Sequence, residues 1–318
     1  MRPRFFAYIL IFVLPFMLSA CATLQTAKYP AISKDIAHKH TYKLTSGQDV
    51  IGKVYKTRVG FSDSISSIAR RYDLGYSEVK QANPKANFLF PGETIILPKE
   101  YVLPPKPYRH GIVINVAELR LYYFSKDGTV STYPVSLGRK GWRTPIAKTY
   151  VYRKKKDPTW WIPADIRAIR TKKMGKESVR TIPPGPENPL GSYAIYLAMN
   201  GYLIHGTNNP LTIGLPVSAG CIRMYNRDVE DLFSKVKRGT QVNIIYYPVK
   251  AGWRDGRIYV EAHHENPSEA AYYSEDLIPV DKVIDTALAE HKDFIHWPLV
   301  NKVIGQKLGI PFQVGQIS

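Results

Sequence analysis

At 318 residues, 44% hydrophobic and 22% charged, the chain has room for two or three domains, and its composition is globular, neither disordered nor membrane-embedded. Lysine and arginine exceed aspartate and glutamate by 44 − 26 = 18, which favours polyanionic partners such as nucleic acid, anionic lipid or an acidic cell-wall polymer. Zinc-finger spacing, an aromatic RNA-binding signature and a recognition-helix pattern are all missing from the sequence, so no nucleic acid is expected among the partners.

Arg2 and Arg4 precede an apolar run over residues 5–18, shorter than a span of about 20 residues and of the form of a secretory signal core. The run ends in Leu18-Ser19-Ala20-Cys21, which resembles a bacterial lipoprotein box. The resemblance implies a signal peptide over 1–20 and lipidation at Cys21. Ala22 in place of aspartate further resembles lipoproteins sorted to an outer membrane. An uncleaved anchor with an incidental cysteine is the competing reading. Only Cys21 and Cys221 occur in the chain. If Cys21 carries lipid, Cys221 is a free thiol in an oxidising compartment, and that asks for a chemical role.

Residues 21–54 read as a tether. In the next unit, 55–98, Ile65, Ile68, Ala69 and Tyr72 recur at helical spacing, with Ser62 or Asp63 placed to cap. A second short helix is expected from Ser77 and must end by Asn83, because Pro84 forbids continuation. Residues 94–97 read as a strand. The string DSISSIARRYDLGYSEVKQANP followed by PGETIILP resembles the LysM module. That implies a small βααβ domain binding N-acetylglucosamine-containing glycan strands, against the alternative of a plain helical spacer.

Proline-rich residues 99–109 have the composition of a linker. Residues 110–247 are β-rich: 112–114 and 119–124 suggest a hairpin, and 130–136, 193–197, 202–205 and 242–246 continue the strands. One helix is clear among them. Val229, Leu232, Phe233 and Val236 form its apolar stripe, Asn226 is placed to cap it, and Gly239 stops it. Residues 248–318 read as a partly helical C-terminal extension, with helices near 281–291 and 299–308. The fold class is therefore α+β, mostly β, with a sandwich- or barrel-like domain between a small βααβ unit and the extension.

The chemistry concentrates in 205–232. His205 ends an apolar strand and Cys221 follows sixteen positions later, with Gly, Pro and Asn between them to fold the chain back. A free thiol has a pKa near 8.5, so only a few per cent is thiolate at neutral pH. A neighbouring imidazolium or helix N-terminus would raise that fraction. Gly220 leaves room for a substrate, and the N–H groups of Gly220 and Cys221 are candidates to receive an oxyanion. An isolated cysteine is as readily structural, and Arg223 as readily an ion-pair partner of Asp228. Trp160 and Trp161 line either a groove or the core. The Arg153-Lys154-Lys155-Lys156 cluster reads as a solvated face, and His263-His264 as surface histidines without a metal framework. No metal and no cofactor are expected.

His205-Gly206-Thr207 followed by Ser218-Ala219-Gly220-Cys221-Ile222-Arg223 resembles the signature of YkuD-type L,D-transpeptidases, with Ala219 where many members carry histidine. The resemblance extends over about 111–247. It implies attack of Cys221 on the bond between meso-diaminopimelate and D-alanine in peptidoglycan tetrapeptide stems. His205 would be general base and acid, Arg223 would hold a substrate carboxylate, Ser218 would orient the turn, and Gly206, Thr207 and Gly220 would shape the substrate site. The thioester would pass to a diaminopimelate amine or to a lysine of an outer-membrane lipoprotein. With the lipoprotein box and LysM, the resemblance implies a periplasmic enzyme, lipid-anchored to a membrane, the outer one favoured. The alternatives are a non-catalytic peptidoglycan-anchoring lipoprotein, or the same acyl-enzyme hydrolysed as a carboxypeptidase or endopeptidase.

Overall fold

The computed structural model describes residues 29–264, 271–274, 278–288 and 295–316; the apolar run of 5–18 and Cys21 lie outside them. Among the described residues no helix is long and apolar enough to cross a membrane. In chain order the N-terminal elements are α1 (Lys34–Ala37), β1 (Thr41–Lys43), β2 (Val50–Arg58), α2 (Ile65–Arg71), α3 (Tyr76–Ala82) and β3 (Thr94–Val102). The central elements are β4 (Gly111–Asn115), β5 (Arg120–Phe124), β6 (Thr129–Pro134), β7 (Leu137–Gly138), β8 (Ala147–Lys156), β9 (Trp160–Trp161), α4 (Ala164–Met174), β10 (Thr181–Ile182), β11 (Tyr193–Leu197), β12 (Leu203–His205), β13 (Pro216–Ser218), β14 (Ile222–Arg223), α5 (Asn226–Lys235) and β15 (Gln241–Ile245). The extension holds β16 (Val249–Arg254), β17 (Arg257–Ala262), α6 (Val280–Leu288), α7 (Trp297–Gln306) and β18 (Phe312–Gln316).

The molecule is α+β and mostly β. A nine-stranded sheet runs β1-β6-β5-β4-β15-β8-β11-β12-β14. It is mixed, because β4 pairs parallel with β15 and β12 parallel with β14. Period-two alternation gives each strand two faces. Ile112, Ile114, Leu121, Ile195, Ile204 and Val242 pack with Val229 and Leu232 of α5 on one face. Val113, Tyr122 and Ile245 point to the other and meet Ile51 of β2, Tyr101 of β3 and Leu103 just after it. Thr41–Lys43, expected within a tether, is instead an edge strand, paired antiparallel with β6. Its backbone groups are satisfied by the sheet, which a short polar segment can do without any hydrophobic period.

The β2-α2-α3-β3 unit is a βααβ module around Val59, Ile65, Ile68, Leu74, Val79, Ile95 and Leu97. Ser64, and not Ser62 or Asp63, caps α2, through a reciprocal capping box with Ser67. Asp63 pairs with Arg71 instead. Asn83 ends α3 by donating to the carbonyls of Val79 and Ile96, each at 2.8 Å, and accepting from the Ile96 N–H at 2.8 Å.

This module is docked on the large sheet. Arg120 Nε of β5 meets Glu78 Oε1 of α3 at 2.5 Å, both buried, and the Arg120 guanidinium lies 4.1 Å from the Tyr101 ring centre. The Tyr76 N–H donates to the Ile213 carbonyl at 2.9 Å and Ser77 Oγ to the Gly214 carbonyl at 2.6 Å. Residues 213 and 214 lie in the loop between His205 and Cys221, so the small module touches the segment that joins them.

The extension is more β than expected. Strands β16, β17 and β18 form an antiparallel sheet, and Val249, Ile258, Val260, Ile284, Val300, Val303 and Val314 form its core with α6 and α7. Asp255-Gly256, with φ of +53° and +69°, makes the tight turn between β16 and β17.

Candidate active site

The parallel pairing of β12 with β14 builds the site. Ile204 pairs with Ile222 and His205 with Arg223. Ile204 and Ile222 are fully buried in the core, so alternation sends His205 and Arg223 to the opposite face. Cys221, immediately before β14, has the same parity and is half-buried. Its thiol donates to the Gly201 carbonyl at 3.3 Å. His205 is buried, and its Nδ1 donates to the Gly206 carbonyl at 2.7 Å. Sequence alone leaves the two far apart; the crossover between two adjacent parallel strands puts them on one face. Among the described residues no hydrogen bond links them directly, and each side chain bonds to a backbone carbonyl instead.

The charge states follow from burial. Burial and the Arg223 guanidinium push the His205 imidazole down to about 3, although its bond to Gly206 pulls the other way. Burial raises the Cys221 thiol above its ordinary value, against the smaller opposing pulls of the Leu203 N–H and Arg223. The resting pair is thus neutral thiol and neutral imidazole. Of the two ways considered to raise the thiolate fraction, the imidazolium is therefore not available: a ring this buried and this close to a guanidinium does not hold a proton at neutral pH. The Gly206 carbonyl fixes the proton on Nδ1, leaving Nε2 with its lone pair.

The turn before the thiol is stitched by Ser218, whose Oγ donates to the Cys221 carbonyl at 2.5 Å and accepts from the Gly220 N–H at 3.1 Å. The Gly220 N–H, expected as an oxyanion donor, is therefore engaged. Gly220 has φ +99°, and a Cβ there would lie 3.1 Å from Tyr202 Cε1, so the position requires glycine on backbone and packing grounds. Arg223 forms no ion pair among the described residues, and its buried Nε has no partner there; Asp228 lies beside Arg227, at 3.5 Å.

Sequence reasoning missed the clamp on the histidine strand. Asn226, read as a helix cap, is the first residue of α5, with Tyr225 at the cap position. Its Oδ1 accepts from the Thr207 N–H at 2.9 Å and its Nδ2 donates to the Thr207 carbonyl at 3.0 Å. Gly206 makes this approach feasible, since a Cβ there would fall 2.1 Å from Asn226 Oδ1. The Thr207 hydroxyl accepts from the Asn209 N–H at 3.0 Å.

Other candidates resolve differently. Trp161 is exposed and Trp160 half-buried, on β9. Lys154 is not a free surface charge, because its Nζ donates to the Val236 carbonyl at 2.7 Å at the end of α5. His263 is buried, not a surface residue, and lies 2.6 Å from Glu261. Glu118, Glu261 and His263 converge as metal ligands would. The Lys250 ammonium sits among them, 2.6 Å from Glu118 and 3.2 Å from Glu261, and supplies the positive charge itself.

A mixed sheet that sets the one described thiol and a neutral imidazole on a single face has the parts of a cysteine-dependent acyltransferase. The family models agree and are more specific: the L,D-transpeptidase catalytic domain matches residues 109–244 and the LysM domain residues 58–98. Probable L,D-transpeptidase YcfS of Escherichia coli K12 is 38% identical over 260 residues, covering 79% of this chain and 80% of the relative. Probable L,D-transpeptidase YbiS of the same strain is 35% identical over 283 residues, 86% and 92% of the two chains. Probable L,D-transpeptidase ErfK/SrfK of Salmonella typhimurium is 37% identical over 257 residues, 79% and 82%. The chain belongs to the YkuD-type L,D-transpeptidase family and carries a LysM domain.

Proposed function

We propose that the protein is an L,D-transpeptidase that cleaves the meso-diaminopimelate–D-alanine bond of peptidoglycan tetrapeptide stems and transfers the acyl group to an amine. The reading rests above all on His205. A neutral imidazole whose Nδ1–H is tied to Gly206 leaves Nε2 unprotonated, with its lone pair free, on the strand face it shares with Cys221. Substrate binding displaces the Cys221 thiol from the Gly201 carbonyl, and Nε2 takes its proton as sulfur attacks the amide carbon. D-Alanine leaves with that proton. An amine then attacks the thioester, the C–S bond breaks, and sulfur regains its proton.

In this proposal the Cys221 N–H receives the oxyanion, since Ser218 already holds that of Gly220. Arg223, whose Nε has no partner among the described residues, holds a substrate carboxylate. Gly206 and Thr207 keep the histidine strand in place through Asn226. The LysM module holds glycan strands, the acceptor is a diaminopimelate or a lipoprotein lysine, and the protein acts in the periplasm, lipid-anchored through Cys21 at the outer membrane.

The test is incubation with a disaccharide-tetrapeptide and mass spectrometry of the products. The expected result is release of D-alanine, a covalent carbapenem adduct on Cys221, and loss of both in Cys221→Ala. Release that persists in Cys221→Ala, or an adduct mapped elsewhere, removes the proposal.

A further inference from the structure

The peptide that carries the Cys221 N–H is held from behind. A peptide unit is planar and trans, so the Gly220 carbonyl and the Cys221 N–H point in opposite directions, and fixing one aims the other. The Gly220 carbonyl accepts from Thr144 Oγ1 at 2.8 Å, and Thr144 Oγ1 accepts from the Gly138 N–H at 3.0 Å. An N–H only donates and a carbonyl only accepts, so the hydroxyl proton is committed to Gly220. Gly138 makes the approach feasible, since a Cβ there would run into the Trp142 carbonyl. Thr144 is buried, as are both glycines.

Thr144 is itself seated by a residue from outside the matched catalytic region. Tyr273 belongs to the extension, beyond residue 244. Its hydroxyl donates to the Thr144 carbonyl at 2.7 Å, and its ring stacks on Tyr246 with centres 4.6 Å apart. Tyr273 is fully buried and, among the described residues, is the one buried member of the core beneath the site that comes from beyond residue 246.

We propose that Thr144 and Tyr273 are positioning residues for acylation: Tyr273 seats Thr144, and the Thr144 hydroxyl aims the Cys221 N–H at the oxygen of the amide under attack. This rests on the catalytic reading above. As sulfur bonds to the amide carbon, the carbonyl electron pair moves onto oxygen, and the Cys221 N–H receives the charge. The bond from Thr144 polarises the same peptide, which makes that N–H a stronger donor at that moment. When the intermediate collapses, the C–N bond breaks and D-alanine leaves with the proton that His205 took from the thiol. The charge on oxygen exists only in passing, so the two residues act on the rate of acylation and not on the binding of the stem.

The experiment uses the full chain as wild type, Thr144→Val, Thr144→Ser and Tyr273→Phe, and compares two reactions of one sulfur. D-Alanine release from a disaccharide-tetrapeptide, measured against concentration, passes through an oxyanion. Alkylation by iodoacetamide, mapped to Cys221 by peptide mass spectrometry, displaces iodide from a saturated carbon and forms none. Thr144→Val misdirects the donor without removing it, and is expected to lower kcat for release about ten- to hundredfold, with KM and the alkylation rate within about twofold of wild type. Tyr273→Phe keeps the stacked ring and loses one hydrogen bond, so kcat is expected to fall about three- to tenfold in the same pattern. Thr144→Ser keeps the hydroxyl and is expected within about threefold of wild type.

Alkylation that falls in step with release in Thr144→Val means that the thiol itself has moved, and overturns the proposal. Thr144→Ser as slow as Thr144→Val assigns the loss to the missing methyl group and overturns it too. If Thr144→Val does not fold, Tyr273→Phe decides, and a wild-type kcat there overturns the proposal. Normal release by wild type with unchanged variants overturns this proposal alone. A wild type alkylated at Cys221 that neither releases D-alanine nor takes up a carbapenem overturns the catalytic reading with it.

Discussion

Asn226 offers the sharpest test of how the site is held. Replacement by alanine removes one donor and one acceptor from the Thr207 backbone and leaves the helix intact, since alanine is favourable at the first helical position. Each hydrogen bond contributes about 0.5–1.5 kcal/mol net, so the pair is worth about 1–3 kcal/mol. Asn226 is itself exposed, so water replaces part of what is lost, and the lower half of that range, about 1–2 kcal/mol, is expected. For a cooperative unit of 150–250 residues that is a fall of about 2–8 °C in melting temperature.

The larger effect falls on rate. Thr207 is two residues from His205, and misplacement of a catalytic group by about 1 Å costs up to 100-fold. Acylation by a carbapenem, followed by intact-protein mass spectrometry or stopped-flow fluorescence, is expected to slow at least tenfold. Asn226→Asp separates the two bonds. It keeps the acceptor for the Thr207 N–H but turns a second acceptor toward the Thr207 carbonyl, and its acylation is expected to slow as in the alanine variant. A normal acylation rate with a lowered melting temperature would refute the claim that this clamp positions the histidine. No change in either would refute the clamp.

Because His205 is pushed down to about 3 and the Cys221 thiol up, the base is already neutral above about pH 4. Acylation should therefore already be level at pH 6, with base and thiol both in their neutral reactive forms; a rise with its midpoint near pH 6.5 would mean that the imidazole titrates at its ordinary value. Burial opposes charge on His40, but hydrogen bonds to Asp231 and Asp73 outweigh it and hold the imidazolium up to about 9. A folded-state pKa above the unfolded value of 6.5 means the contribution is complete below about pH 6.5 and is lost as pH rises through 9. It is worth at most about 3 kcal/mol, and denaturation of His40→Gln across that range should show a flatter pH dependence than wild type. Gly214→Ala would place a Cβ 2.3 Å from the Tyr76 nitrogen at φ +86°. A loss above about 2 kcal/mol is expected, read in urea, with faster proteolysis of the 206–220 loop. Lys250→Met leaves Glu118 and Glu261 buried without their cation, and should cost about 3–5 kcal/mol in the same urea assay.

What the sequence discloses depends on how local the cause is. The stripe of α5, the β4–β5 hairpin and the His205/Cys221 motif are patterns of spacing, and spacing is visible in a string. The β16–β17 hairpin is equally visible in Asp255-Gly256 between two β-prone runs, a strong short-range turn signal. Asn226 looks like a cap from its position, but its side chain is claimed by a backbone nineteen residues earlier, at Thr207, and no local rule weighs that competition. His263 looks like a surface residue because sequence cannot show that Lys250, Glu118 and Glu261 converge on it from other elements.

The same distinction explains why the residues around the thiol were only partly legible. Its identity rests on motif spacing, but its environment is assembled from the β12–β14 crossover, the loop braced by Tyr76 and Ser77, and the extension anchored through Tyr273 and Thr144. Each of these is a contact between segments far apart in the chain. The protonation of the pair is the clearest case. From sequence, an imidazolium and a helix N-terminus both stay open as ways to raise the thiolate fraction. Burial and the Arg223 charge, both properties of the folded sheet, remove the first and make the imidazole a base that has yet to receive its proton.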